Sequence, residues 1–226
     1  MRKLEIIATS VEDAVQAQTG GASSLEVVKN LAVGGLTPPL ALIQAVRDAV
    51  RIPLRIIIRP HASSFVYSEA DVEQILIDIE ALKRSGANGI VFGALHPDNT
   101  VNLTLTTQIA RAAFPMEMTF HRAIDVCRNS PSALPALTGI IQRLLTSGLT
   151  DNVWDGRSII GSWVEQYGSQ FTIACGGGIR IEQLAEIVRT THAPEYHLGS
   201  AAQTNLVVDR VKVAQILEII STALNK

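Results

Sequence analysis

At 226 residues, with 47% hydrophobic and 18% charged residues, the chain has ample material for a large buried core. That excludes disorder, a coiled coil and a disulfide-stapled miniprotein, and the length favours one domain over residues 1–226. Nineteen Lys and Arg against 21 Asp and Glu give a net charge of −2 with no basic run, and only ten residues are aromatic. Phosphate neutralisation and base stacking both lack the residues they need, so no nucleic-acid partner is expected.

Two cysteines, Cys127 and Cys175, are too few for a disulfide framework and point to a reducing compartment. The sequence opens Met1-Arg2-Lys3-Leu4-Glu5, where Glu5 interrupts any apolar signal-peptide run before it starts. No apolar stretch approaches the ~20 residues that a bilayer requires. A cytoplasmic protein with no membrane partner is expected.

Short β-rich runs alternate with segments of helical period from end to end. A strand over Leu4–Thr9 is followed by a helix over Val11–Gln18 behind a Ser10 cap. A second strand, Leu25–Lys29, leads through a glycine loop to a helix with Thr37 as N-cap and Pro38 as first helical residue. Leu54–Arg59 and Glu69–Ser85 form the third pair, Ile90–Leu95 and Leu103–Ala113 the fourth. Met116–Arg122 is the fifth strand, with a short helix around Ser132–Leu137. Arg143–Ser147 with Ile159–Gln166, and Phe171–Cys175 with Ile181–Thr190, come next. Tyr196–Gly199 and Arg210–Ala223 close the series at eight strand–helix units.

Strands that alternate with helices pair in parallel through crossovers. Eight such units predict an α/β fold of the single (β/α)8 TIM-type barrel class, with a doubly wound open sheet as the alternative. Strand parity places Glu117, Thr119 and His121 on one face, and likewise Glu5 with Ile7, Glu26 with Val28, and Arg55 with Ile57 and Arg59. Charges on the inner face of a barrel must pair, meet water or meet a ligand.

Barrel enzymes carry function at the carboxyl ends of their strands. The candidate acid–base residues there are Glu5, Glu26, Arg59, His121, Arg122 and Asp125, a set suited to proton transfer on an anion. A structural ladder in which Glu5 and Glu26 neutralise Arg59 and Arg122 explains the same residues equally well. Gly176, Gly177 and Gly178 follow the seventh strand, with Gly199 and Ser200 after the eighth. In this fold such loops hold anions through backbone N–H groups, although a tight turn also needs glycine. His121 and His197 are candidate imidazole ligands for a metal. Lys29 and Cys175 read as a surface lysine and an inert core thiol.

Several segments together resemble the CutC copper-homeostasis family. They are Gly20-Gly21-Ala22 with Leu25-Glu26, GGLTP at 34–38, IIRP at 57–60, TFHRAID at 119–125, LTSG at 145–148, GGGI at 176–179 and Tyr196-His197. The resemblance implies a TIM-type barrel, a homo-oligomer (dimer or tetramer), and copper as the associated metal. Where family members carry cysteines after the first two strand glutamates, this chain has Ile7 and Val28. The loop after Arg59-Pro60 reads His61-Ala62-Ser63-Ser64-Phe65 in place of the family's Arg-Gly-Gly-Asp-Phe. Cu(I) favours soft sulfur ligands, so these departures predict no thiolate-bound copper. The expected functions are copper handling by resemblance, acid–base chemistry on a small phosphorylated or carboxylated metabolite, or non-catalytic binding.

Overall fold

The computed structural model describes residues 2–128 and 130–224; Met1, with which the opening run begins, lies outside the described residues. Eight parallel strands close into a barrel in sequence order, and each is followed by a helix. The elements are β1 (Lys3–Ala8), α1 (Val11–Thr19), β2 (Ser24–Val27), α2 (Leu40–Ala49), β3 (Leu54–Ile57), α3 (Glu69–Leu82), β4 (Gly89–Phe92) and α4 (Leu103–Ala113). They continue with β5 (Glu117–Phe120), α5 (Ser130–Leu137), β6 (Arg143–Thr146), α6 (Val153–Tyr167), β7 (Thr172–Gly176), α7 (Ile181–Thr191) and β8 (Glu195–Leu198). A small antiparallel hairpin, β9 (Gln203–Thr204) and β10 (Val207–Val208), precedes α8 (Arg210–Thr222).

Closure is carried by β1 against β8, with Lys3 opposite Glu195 and Leu4 opposite Tyr196. That pairing removes the open-sheet alternative. The main core lies between strands and helices, where Leu4, Ile6, Leu25, Ile56, Phe92 and Tyr196 are wholly buried. Inside the barrel, the apolar layer is small: Val28, Ile57 and Val91, with Ile7 and Leu31 against them. Most of the lumen is polar. Among the described residues, no helix is long and apolar enough to cross a membrane.

Several element boundaries differ from the sequence expectation, and for two helix starts the cause is local. Helix α2 starts at Leu40 behind Pro39, not at Pro38 behind Thr37. Pro38 itself precedes a proline, which pushes it out of the helical region, so the helix begins only after the second proline. Thr37 instead ties the loop to β3: its hydroxyl accepts from Arg59 N–H at 2.8 Å, and its own N–H donates to the Arg59 carbonyl. Helix α6 begins at Val153, well before the expected Ile159, because the Asn152 side chain caps it by accepting from Asp155 N–H at 3.1 Å.

Candidate functional site

The lumen floor is a charge-balanced ring. Glu5 is fully buried and accepts from Arg143 Nη2 at 2.6 Å, Arg55 Nη1 at 2.8 Å and Ser24 Oγ at 3.2 Å. Glu195 pairs with the same two guanidiniums, 3.1 Å from Arg143 and 3.5 Å from Arg55. Burial opposes ionisation of Glu5, but Arg143, the His197 hydrogen bond and Arg55 outweigh it and hold its carboxyl well below the usual range. The expected partners, Arg59 and Arg122, are therefore replaced by Arg55 and Arg143 at Glu5 and by His197 at Glu26. The reason is height in the barrel: Arg59 lies beyond the end of β3, whereas Arg55 and Arg143 lie within strands at the level of Glu5.

His197 stands on this floor between two carboxylates. Its Nδ1 is 2.9 Å from Glu5 Oε1, and its Nε2 is 3.3 Å from Glu26 Oε2. Burial is the main influence on Glu26 and raises its pKa, with Glu5 adding to the rise while His197 opposes it. Glu26 and His197 line a cavity of about 780 Å³ at the carboxyl ends of the strands, a volume typical of small-ligand sites. Glu5 does not line it and works from below.

Arg59, His121 and Arg122 also line the cavity. Arg59 is buried, and carbonyl oxygens take its Nη groups: Val33 at 2.9 Å, Gly35 at 3.3 Å and Ala62 at 3.2 Å. Its guanidinium carbon sits 4.9 Å from the centre of the Phe65 ring. These partners fix the group without neutralising it. Arg122 donates from Nε to Asp125 at 3.0 Å and from Nη2 to Ser147 Oγ at 2.9 Å and the Asp151 carbonyl at 3.1 Å. It packs over Gly177, where a Cβ would come within 2.8 Å of the guanidinium carbon; at φ +118° that position also favours glycine.

His121 follows β5 and is buried. Its Nδ1 accepts from Ala123 N–H at 3.2 Å, so the neutral ring carries its proton on Nε2, which has no partner among the described residues. Burial, with the positive charges of Arg59 and Arg122, pushes its pKa down to about 3. Room for the ring comes from Gly93, where a Cβ would lie 2.6 Å from Nδ1. His121 is thus placed as a neutral donor; its one free nitrogen offers no lone pair to a metal or a proton.

Asp125 lines the cavity but is saturated. Thr146 Oγ1 at 2.5 Å, Leu149 N–H at 3.2 Å, Ser147 N–H at 2.9 Å and Arg122 Nε at 3.0 Å all donate to it. It brackets the loops after β5 and β6. Gly177, Gly178, Gly199 and Ser200 line the cavity, whereas Gly176 sits lower, inside β7 opposite His197. Helix α7 begins just beyond, behind Arg180, whose side chain caps nothing.

The cysteines lie apart from this arrangement. Cys175 is buried in the core between strands and helices, and burial, with Asp125, pushes its thiol up. Cys127 is half-buried and free. Among the described residues, no three His, Cys, Asp or Glu side chains form a metal-binding group. At the mouth, the Nε2–H of His121 presents no imidazole lone pair to a Cu(I) ion, and the Cys175 thiol is buried away from it. Sequence reasoning missed Arg143 and Glu195 as site residues. Arg143 carries the parity of Leu145 but heads its strand, far from the carboxyl ends where barrel function is sought, and Glu195 carries the parity of His197 but lies one residue before the expected strand start at Tyr196.

The CutC family pattern matches residues 2–202. A CutC family protein of Glaesserella parasuis is 34% identical over 95% of this chain and 88% of its own length. The human copper homeostasis protein cutC homolog is 35% identical over 87% of this chain and 72% of its own length. The crystal structure of a CutC protein from Streptococcus agalactiae superposes with a TM-score of 0.83 at 24% identity, covering 88% of this chain and 99% of that one. Lumen, mouth and motifs thus run in one order along one family's length, and this chain belongs to the CutC family.

Proposed function

We propose that the barrel mouth binds a small anionic metabolite and performs acid–base chemistry on it through Glu26 and His197. One observation carries this reading: His197 bridges Glu5 at 2.9 Å and Glu26 at 3.3 Å, at the floor of the cavity. Glu5, held ionised by Arg143 and Arg55, only accepts, so His197 Nδ1 carries a proton toward it. Glu26, whose pKa is raised by burial, has an oxygen 3.3 Å from His197 Nε2, within reach of proton exchange. A ligand atom beside Glu26 can take a proton from it or supply one, while Glu5 steadies the imidazole. Arg59 and Arg122 supply positive charge, and the loop at Gly177–Gly178 with Gly199–Ser200 allows close backbone approach.

Copper remains attached to the family through its relatives' names. In this chain no step runs through it, because His121 presents N–H and Cys175 is buried away from the mouth.

Incubation with a panel of phosphorylated and carboxylated metabolites in D2O tests the reading, with products followed by mass spectrometry. Conversion or deuterium uptake by wild type, abolished in Glu26→Gln, is expected. Equal uptake by both proteins, or none by either, would sink it.

A further inference from the structure

We infer that Val33, Val126, Leu149 and Leu206 form an apolar collar around the mouth that holds a hydrophobic group of the ligand, so that the metabolite is an amphipathic anion, a charged end joined to a ring or short chain. This rests on the mouth being a small-anion site and specifies its ligand.

Leu206 carries the argument. It is 86% exposed, the most exposed large apolar side chain among the described residues, yet it lines the mouth cavity. With Asn205 it forms the two-residue turn between β9 and β10, at φ +52° for Asn205 and +67° for Leu206. A turn with positive φ at both positions favours Asn-Gly, because a Cβ crowds the left-handed backbone. Leucine is therefore held there at a conformational cost, and its side chain recovers little burial within the chain. The turn is also fixed in place: Asp13 accepts from Val208 N–H at 2.9 Å, and Asp209 N–H donates to the Ala202 carbonyl at 2.8 Å. Contact with a ligand explains a strained residue that gains so little packing.

Three more apolar side chains line the same cavity from other loops. Val33 follows β2 and is 39% exposed, and Val126 follows β5 and is 57% exposed. Leu149 follows β6 at φ +63°, with its N–H donating to Asp125 at 3.2 Å. Strands β2 and β8 flank β1, whereas β5 and β6 lie across the barrel, so apolar groups face the mouth from both sides. Charge lies deeper on two of the same units: Glu26 belongs to β2 and His197 to β8, ahead of Val33 and Leu206. A bare anion fills only a small part of about 780 Å³. A polyol phosphate would set hydroxyls, stripped of water, against the four apolar side chains. An anion with a hydrophobic group turns its charge toward Arg59 and Arg122 and covers the collar.

The probes are methyl phosphate with phenyl phosphate and acetate with phenylacetate, two headgroups each without and with a ring. They are titrated calorimetrically into wild type, Leu206→Asn and Val126→Ser. Asparagine tolerates the left-handed backbone, so Leu206→Asn should melt no lower than wild type. For the headgroup that binds, wild type should hold the phenyl probe roughly ten-fold more tightly than its methyl counterpart. Each substitution should weaken the phenyl probe about five-fold and leave the methyl probe unchanged. Equal affinity for phenyl and methyl probes in wild type, or a phenyl affinity that ignores either substitution, overturns the collar and leaves the mouth reading standing. If no probe binds wild type, both fall. A lower melting temperature for Leu206→Asn, or a smaller mass by light scattering, would give the side chain a packing partner in this chain or in a second copy and also overturn the proposal.

Discussion

Arg143 Nη2 lies 2.6 Å from Glu5 Oε1, and both side chains are all but sealed from solvent. The same guanidinium also reaches Glu195 at 3.1 Å, so one cation serves two buried carboxylates. Arg143→Met would leave Glu5 with Arg55 as its one guanidinium and Glu195 with one contact at 3.5 Å. Removing one partner of a buried network costs roughly 3–5 kcal/mol, because the orphaned charge stays in a low-dielectric site. Urea unfolding of the variant against wild type measures it. A cost below ~1 kcal/mol would mean that the ring is hydrated and behaves as a surface pair.

Neutral His121 sets a distinct acid response. Its folded pKa of about 3 lies below the ordinary 6.5, so between these values the unfolded chain binds more protons than the folded one. Its contribution is therefore complete above pH 6.5 and is lost as pH falls toward 3. Glu5, also depressed, loses its contribution only below the ordinary carboxylate value of 4.5. Glu26, raised, acts with the opposite sign: its contribution is lost as pH rises through the raised value. His121→Asn keeps an acceptor for Ala123 N–H and cannot titrate. Between pH 6.5 and 4.5, wild type should lose roughly 2–3 kcal/mol more than this variant. Parallel stability curves across that window would show that His121 is charged in the folded protein.

The barrel was legible because its signals are local and repeated: apolar runs, helical periods and strand parity recur eight times and agree. Parity even put Glu5, Glu26, Arg55 and His121 in the lumen or at its mouth. It could not say at what height each residue stands, since height depends on the stagger between strands. That is why Arg59 was matched to Glu5 although Arg55 holds it. The Ala123 bond that fixes the His121 tautomer, and the five donors that saturate Asp125, arise from loop conformation. Side-chain identity alone carries no trace of either.

Copper provides the last test, because family and chain chemistry diverge over it. A Cu(I) site needs sulfur or a free imidazole lone pair. Ile7 and Val28 stand where family members carry cysteine, and both belong to the small apolar layer inside the barrel. Cys175 lies on β7 among core residues between the barrel and its helices, with its thiol pushed up by burial, so forming a thiolate there is costly. Cys127 is only half-buried, but it follows the turn after β5 and has no second cysteine beside it. His121 would have to give up the Ala123 bond or shed the Nε2 proton before it could ligate. In competition with a strong Cu(I) chelator at neutral pH, the chelator should therefore take all the metal from wild type, Cys175→Ser and Cys127→Ser alike. Retention of one equivalent by wild type, lost in Cys175→Ser, would instead place a thiolate copper site in the wall of the barrel and return the chain to the chemistry its relatives are named for.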